Sequence, residues 1–378
     1  MNHPLTHRFE GADEIADMID SRIPDTRDYP AETKAAIDSF HPKRLHLVVT
    51  QIIQETPTTK TFRLAGRDYP ELPPFLAGQY INVFYGGTSR PYAISSSPGR
   101  LTYYDLTVRR VRGGRISNDL IDFVQTGDVL TTTGPMGTFH HNPLFHGHDV
   151  VFLAGGSGVA PAMSMIREIV DLGLDRTFHL IYGSRDASDI IFAAELDALS
   201  AVHPGIDVDY VIAEPESDWT GPTGLLTAET LTALTGRLDG RMVYVCGPQA
   251  LYPFALQQLR TLGHPRKRIR FEANGAPSDP TAQAHWPAEA DPTGEVTVTI
   301  GAKSFRSPRN RPLLDALEDN GVRPEAACRS GECSLCRVRI CKGRVHTAEE
   351  AKLRMSDEQF GYTHSCVAYP ISDVEIEL

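Results

Sequence analysis

Past residue 44 the chain alternates short apolar runs with polar turns, and the period of the alternation changes along its length. From about 45 to 145 the runs LHLVVTQIIQ, TKTFRLAG, QYINVFY, RPYAISSS, YYDLTVRRV and GDVLTTTGP are β-rich and separated by turns. Six such runs at this spacing predict an antiparallel β-barrel. From about 146 to 272 apolar strand runs alternate with helical stretches. In order these are DVVFLAGG, PAMSMIREIVDLG, TFHLIYGSR, FAAELDALSA, DVDYVIAE, a helical 225–236, RMVYVCGP and a helical 249–262. That order predicts an α/β domain with a doubly wound parallel sheet, because parallel strands need a crossover helix between them.

The pattern then breaks. Residues 273 to about 293 are rich in Pro, Ala and Gly with little periodicity, and read as a linker. From 294 to 378, strand EVTVTI, helix LLDALEDNG and closing strand DVEIEL mark a small α+β domain. At the other end, residues 1–44 form an acidic extension, with nine Asp/Glu against four Lys/Arg in the first forty positions. Ile15, Met18, Ile19 and Ile23 share a helical spacing there. They predict one amphipathic helix that packs on the domain that follows or serves as a docking arm.

Length and composition bound this picture. A chain of 378 residues exceeds one ordinary core and implies a multidomain protein. The composition is globular, 41% hydrophobic and 22% charged, and the net charge of −11 argues against nucleic acid and anionic membrane surfaces as partners. No apolar run approaches the roughly 20 residues that cross a bilayer.

Four cysteines carry the sharpest chemistry. Cys328, Cys333 and Cys336 form a C-x4-C-x2-C run, and Cys366 follows well downstream. This is the plant-type spacing for a [2Fe–2S] cluster, whose two irons need four thiolates. A loop that supplies three of them must wrap tightly, and Gly331 inside it suits positive φ or close backbone approach. Zinc also takes four thiolates but usually from paired short knuckles, and only one such knuckle exists here. Six cysteines in 378 residues are sparse for a disulfide framework, and no signal peptide is evident, which points to a reducing cytoplasm. Cys341 fits no ligand position, the fourteen histidines show no metal spacing, and His364 reads as a packing or hydrogen-bonding residue beside the fourth thiol.

Elsewhere the motifs suit phosphate. Gly155, Gly156, Ser157 and Gly158 turn a buried strand into a helix, where free N–H groups and the helix dipole favour an anion. Pro161 suits the first helical turn. About 90 residues on, Cys246-Gly247-Pro248 ends another strand, so two strand ends open on one sheet edge, the place where such sheets bind ligands. Arg90 can grip a phosphate bidentately, and Tyr92 one step along the same face can stack on a flat ring. Gly113-Gly114 before a helix starting near Ser117 offers a second cradle. The strand end at Ala213-Glu214-Pro215 places a carboxylate where two ribose hydroxyls suit it and a 2′-phosphate does not, favouring NADH. Ser184-Arg185 could instead reach a 2′-phosphate, which keeps NADPH as the alternative.

Taken in order, Arg90-Pro-Tyr92, Gly114-Arg-Ile-Ser117, Gly134-Pro-Met-Gly-Thr-Phe139, the Gly155 turn and Cys246-Gly-Pro248 resemble the ferredoxin–NADP reductase family. With the C-terminal cysteine domain, residues 45–378 resemble the reductase components of multicomponent oxygenases, of the phthalate dioxygenase and ketosteroid hydroxylase type. The resemblance implies a flavin-binding barrel, a nucleotide domain and a β-grasp ferredoxin domain. It implies that Arg90 and Tyr92 hold the flavin phosphate and ring, and that Arg109, Gly114, Ile116 and Ser117 hold the pyrophosphate or ribityl chain. Gly156, Ser157 and Cys246 would flank the nicotinamide, with Tyr92 and Cys246 the catalytic pair at the reacting rings. The family usually has Ser or Thr after the tyrosine; this chain has Ala93, for which Ser95 or a backbone N–H could substitute. The Gly-Arg-Ile-Ser cradle favours FAD over FMN.

A nicotinamide gives up two electrons at once while the cluster accepts one, and a flavin can split the pair. The expected route is NADH to flavin to cluster to an external redox partner, a terminal oxygenase, demethylase or desaturase met in a transient encounter. The cluster domain, with 12 basic and 13 acidic residues from 295 to 378, advertises no strong docking charge. A stand-alone reductase serving an anaerobic metalloenzyme and a non-catalytic redox sensor are the competing readings.

Overall fold

The computed structural model describes residues 11–22, 29–40, 42, 44–272, 275–277, 279–283, 285–349 and 351–378. The chain divides into two compact units, Met1–Pro42 and Lys43–Leu378. In the first, α1 (Ala12–Arg22) is joined by a second helix, α2 (Tyr29–Phe40), that the apolar spacing did not announce. Ile15 and Met18 are exposed. Ile23 lies outside the described residues, as does the side chain of Ile19.

The second unit opens with the barrel: β1 (Leu45–Thr56), β2 (Thr59–Gly66), β3 (Tyr80–Tyr85), β4 (Thr88–Ala93), β5 (Tyr104–Arg109) and β6 (Val129–Thr132). These six strands pair antiparallel in the order β4-β3-β6-β1-β2-β5. The two edges meet at a bridge between Ile94 and Leu106, which closes the sheet on itself and removes its free edges there. Alternate residues such as Leu47, Val49, Phe62, Leu64, Ile81 and Val83 face inward. Helix α3 (Arg115–Phe123) adds Ile116 and Leu120 to the same core. A single turn, α4 (Pro143–His146), leads into the next domain.

There β7 (Asp149–Gly155), β8 (Thr177–Ser184), β9 (Ile206–Ile212), β10 (Met242–Cys246) and β11 (Ile269–Glu272) form a fully parallel sheet, in the order β11-β10-β7-β8-β9. Side chains on a strand alternate between faces, and the two faces hold separate cores. Phe152, Phe178 and Tyr244 pack under α5 (Val159–Leu172) and α6 (Ala193–Val202), whereas Val151, Ile181 and Val243 pack under α7 (Ala228–Thr235) and α8 (Leu251–Thr261).

The described part of 273–293 does not hang free as a linker would. Trp286 packs edge-on against His346 and Tyr369, and Tyr369 Oη donates to the Pro277 carbonyl at 3.0 Å. A segment without periodicity is still held when one aromatic finds a pocket. The last domain contains β12 (Glu295–Ile300), β13 (Lys303–Pro308), α9 (Leu313–Asp319), β14 (Arg337–Lys342), β15 (Val345–Thr347), α10 (Met355–Gln359), β16 (Tyr362–His364), β17 (Ala368–Pro370) and β18 (Val374–Glu377). Its main sheet runs β13-β12-β18-β14-β16, with β12 and β18 parallel and the other pairs antiparallel, and α9 covers one face through Leu313 and Leu317. Among the described residues no helix is long and apolar enough to cross a membrane.

Candidate functional site

The loop from Ala327 to Cys336 gathers the thiols. Gly331 has φ of +78°, and a Cβ there would sit 2.8 Å from Val367 and 3.0 Å from the Ala351 backbone, so only glycine lets the loop close. Arg329 and Ser334 take positive φ without being glycine, at +55° and +61°, so the wrap stores strain. Backbone N–H groups of Ser330, Glu332 and Cys333 donate to Cys328 Sγ at 3.4 Å each, and Gly331 N–H donates to Cys366 Sγ at 3.3 Å. The His364 ring bonds the Gly331 carbonyl at 2.7 Å and so braces the loop from behind.

The thiols influence one another: Cys328 shifts with Cys333 and Cys366, and Cys336 with Cys366. The neighbouring thiols, then the backbone amides, push the Cys328 thiol down toward thiolate, the form that binds iron. Among the described residues no group of three or more His, Cys, Asp or Glu is arranged for a single metal ion. Four neighbouring thiols, two of them supported by backbone amides, fit a two-iron cluster.

The cluster loop lies against the barrel strand that carries Arg90 and Tyr92. Thr88, Arg90 and Tyr92 alternate along β4. Thr88 Oγ1 accepts from both Arg90 Nη1 at 3.2 Å and Arg329 Nη2 at 3.1 Å, so two guanidinium groups converge on one hydroxyl. Burial, then the Arg329 charge, hold Arg90 below the usual arginine value. Arg329 Nε is buried with no partner. Helix α3 opens on Gly114 with no side-chain cap, leaving its first N–H groups available. Arg90, not tied to a carboxylate among the described residues, and the uncapped start of α3 each offer donors that suit a phosphate. Ser89 Oγ donates to the Ala326 carbonyl at 3.4 Å, and Glu332 Oε1 accepts from the Thr138 N–H at 3.2 Å and Thr138 Oγ1 at 2.5 Å, while Lys352 bonds both. Tyr92 is half-buried, and burial raises its phenol above the ordinary value.

Two sequence-predicted flavin residues point elsewhere. Ser95 is fully buried, its hydroxyl bonding the Asp105 carbonyl at 3.1 Å and Thr107 Oγ1 at 2.9 Å, so it is spent inside the barrel and cannot replace a hydroxyl at Ala93. Ile116 is a core side chain, leaving only its backbone to face a ligand.

In the nucleotide domain the two strand ends meet. A Cβ on Gly158 would overlap the Cys246 carbonyl, one on Gly155 would come 2.9 Å from Pro248, and one on Gly247 3.1 Å from the Gly155 backbone. Only a glycine-lined contact lets the Gly155–Gly158 turn nest against Cys246-Gly247-Pro248, and α5 with buried Pro161 starts directly after that turn. Cys246 is buried between Ala154 and Glu272. Arg109 reaches Gly156 and Asp189 rather than the Gly114 cradle. Arg185 Nε lies 3.3 Å from Glu214 Oε1, with both exposed, and Ser184 Oγ donates to the Asp186 carbonyl at 2.9 Å.

Comparison with known proteins accords with this division of labour. Residues 46–141 match the oxidoreductase FAD-binding domain, 152–257 the oxidoreductase NAD-binding domain, and 297–370 the 2Fe-2S iron-sulfur cluster binding domain. The ferredoxin reductase component of 3-ketosteroid-9-alpha-monooxygenase from Mycolicibacterium smegmatis is 31% identical over 344 residues, covering 87% of this chain and 95% of that one. This chain belongs to the reductase components of oxygenases, within the ferredoxin–NADP reductase superfamily. The glycine betaine monooxygenase reductase subunit of Pseudomonas aeruginosa is 30% identical over 88% of this reductase and 95% of its own length. The NADH oxidoreductase HCR of Escherichia coli is 32% identical over 86% and 95%. The structure of phthalate dioxygenase reductase superposes with a TM-score of 0.63 at 26% identity, covering 89% of this chain and 98% of that one. The protein is thus an NADH-dependent flavin and iron–sulfur oxidoreductase that uses FAD and a [2Fe–2S] cluster to pass electrons to a redox partner.

Several residues at these sites were not legible in the sequence. Glu272 ends β11 fully buried, and burial drives its carboxyl well above the usual range. Tyr80 sits buried near Cys328 and Cys333 with a partnerless hydroxyl. Asp189 and Arg329 join separate domains, and nothing in local spacing marks a residue for such long-range contact.

Proposed function

We propose that this reductase draws electron pairs from NADH and delivers them singly to a separate terminal oxygenase or a similar redox protein. The contact of the cluster loop with the barrel supports this best: Arg329 on Thr88 and Ala326 on Ser89 meet β4, the strand assigned to the flavin, and Glu332 meets Thr138 beyond β6. When bound, FAD takes two electrons from the nicotinamide and releases them one at a time, the unit the cluster accepts. Arg90 holds the flavin phosphate, helped by the N–H groups at Gly114 and Ser117, while Tyr92 covers the ring. Gly155, Gly156, Ser157, Gly158 and Pro161 form the pyrophosphate cradle, and Gly247-Pro248 its wall. Cys246 borders the place where nicotinamide and flavin meet. Cys328, Cys333, Cys336 and Cys366 ligate the irons, with Cys333 the least buried and nearest to solvent.

Glu214 selects NADH in two ways. Its carboxylate suits ribose hydroxyls, and its pairing with Arg185 offsets a nearby cation that a 2′-phosphate could use. The acceptor is met transiently, nucleic acid and membrane are not partners, and the cytoplasm supplies the reducing setting that free thiols need. The oxygenase relatives carry the choice of acceptor class.

Anaerobic titration of the purified protein with NADH tests this. Flavin and [2Fe–2S] absorption should both bleach, and Cys333→Ser should spare the flavin response while abolishing the cluster bands. A colourless protein, or iron absent from anaerobically prepared material, defeats the proposal. Arg90→Ala should release flavin, and full flavin retention would remove that assignment.

A further inference from the structure

Asp189 belongs to none of the motifs above, yet it gathers three donors from across a domain boundary. It ends a single 3-10 turn after β8, and its loop is anchored by the Ile191 N–H donating to Tyr182 Oη at 3.2 Å and by buried Ile190, Ile191 and Phe192. One carboxylate oxygen accepts Thr56 Oγ1 and Thr58 Oγ1, each at 2.7 Å, and the other accepts Arg109 Nη2. These partners stand together because β2 pairs with β5, placing Thr59 opposite Arg109, and because Arg110 N–H donates to the Thr58 carbonyl at 2.8 Å. The side chain of Asp189 is almost fully buried, so its charge depends on those three donors.

The guanidinium is divided between two tasks. Nη2 is held by Asp189, while Nη1 points at the glycine turn: a Cβ built on Gly156, whose φ is +53°, would lie 2.5 Å from it. An arginine swings freely on four bonds, and its rotamer entropy is lost each time it meets an anion unless something fixes it first. We propose that Asp189 is a positioning residue for NADH, pinning Arg109 over the Gly155–Gly158 turn so that a preset cation meets the dinucleotide pyrophosphate. It rests on the reading of that turn as the pyrophosphate cradle. The carboxylate also lowers the net charge facing an anion, but two threonine hydroxyls share it, and pinning wins.

Domain alignment does not depend on this residue alone. Arg100 pairs bidentately with Asp171 at 2.8 Å, Arg167 Nη1 donates to the Ser95 carbonyl at 2.8 Å, and Ser164 Oγ donates to the Ser96 carbonyl at 2.8 Å. Loss of Asp189 should therefore weaken binding while the nicotinamide, once bound, still meets the flavin correctly.

The test uses the full-length holoprotein and compares wild type, Asp189→Asn, Arg109→Gln and the double variant. NAD+ affinity is measured by calorimetry on the oxidised protein, and flavin reduction by NADH is followed by anaerobic stopped flow. Asp189→Asn should raise the NAD+ dissociation constant and half-saturating NADH about ten-fold, the scale of one charge-assisted hydrogen bond, with the limiting rate within about two-fold. The double variant should be no worse than Arg109→Gln, since both act through one cation. Affinity unchanged or tightened in Asp189→Asn while Arg109→Gln weakens it overturns the role of Asp189 and leaves the cradle standing. Affinity unchanged in Arg109→Gln and Gly156→Ala alike removes the cradle itself. Additive losses, or a fall in limiting rate alone, also overturn the proposal. Should Asp189→Asn not fold, Thr56→Val with Thr58→Val keeps the ion pair but loosens it: a weaker loss of affinity in the same direction is expected, and none refutes the idea.

Discussion

Replacing Arg329 by Met would remove a charge while keeping most of the stem. In the structure its guanidinium lies 3.1 Å from Asp315 Oδ1, bonds Glu318, and reaches Thr88 Oγ1 across the domain boundary at 3.1 Å. Its side chain is 8% exposed, against 40% for Asp315 and 26% for Glu318. Breaking a fully buried pair costs about 3–5 kcal/mol and an exposed one under about 1 kcal/mol. Water reaches these two acids in part, so the loss should be about 2 kcal/mol, and it should appear in melting of the ferredoxin domain. The Thr88 bond is a separate contribution of about 1 kcal/mol. Losing it should slow cluster reduction after flavin reduction by up to about five-fold. Anaerobic stopped flow resolves the two phases, and the NADH-to-flavin phase should not change. If Met melts no lower than wild type, the account of this loop is wrong.

Gly331→Ala should lower iron content and destabilise the cluster domain by about 2–4 kcal/mol, combining positive-φ strain with overpacking against Val367 and Ala351; full iron by elemental analysis would contradict the tight wrap. Glu214→Ala should free Arg185 and improve kcat/KM for NADPH relative to NADH by about ten-fold, and an unmoved ratio would discard the pairing argument. His146 is held neutral, its proton affinity lowered to about 4 by burial and then by Arg270. The unfolded chain takes up that proton near pH 6.5, so the contribution is complete above 6.5 and disappears as pH falls toward 4. Urea melts should show that acid loss in wild type and a shallower one in His146→Gln; equal slopes would exclude His146 as its source.

Much of the fold was written in local periodicity. The barrel strands declared themselves because LHLVVTQIIQ and TKTFRLAG alternate inward and outward faces, and the parallel strands because runs such as VVFLA are buried on both faces. Strand β11 escaped notice because Ile269-Arg-Phe-Glu272 is four residues long with two charges, although a helix α8 crossing back to the sheet called for one more strand. Helix α2 was missed because YPAETKAAIDSF has few apolar positions to set a period. At the sites, Gly331 was readable since a tight sulfur wrap needs a residue without Cβ. Ser95 was placed by sequence adjacency and Arg109 by the family resemblance; Ser95 turns into the barrel and Arg109 crosses to Asp189, contacts decided by partners 10 and 80 positions away.

Trp286 changes how the protein can be recombined. The indole stands before the first strand of the C-terminal domain but is seated on that domain's own His346 and Tyr369, and its Nε1 donates to the Ala290 carbonyl at 3.1 Å. A chimera spliced at Glu295 would strand this aromatic on a foreign surface and open a hole beneath Tyr369. The natural seam for exchanging electron-delivery modules lies upstream, near Gly275, so that the incoming piece arrives with its own clasp.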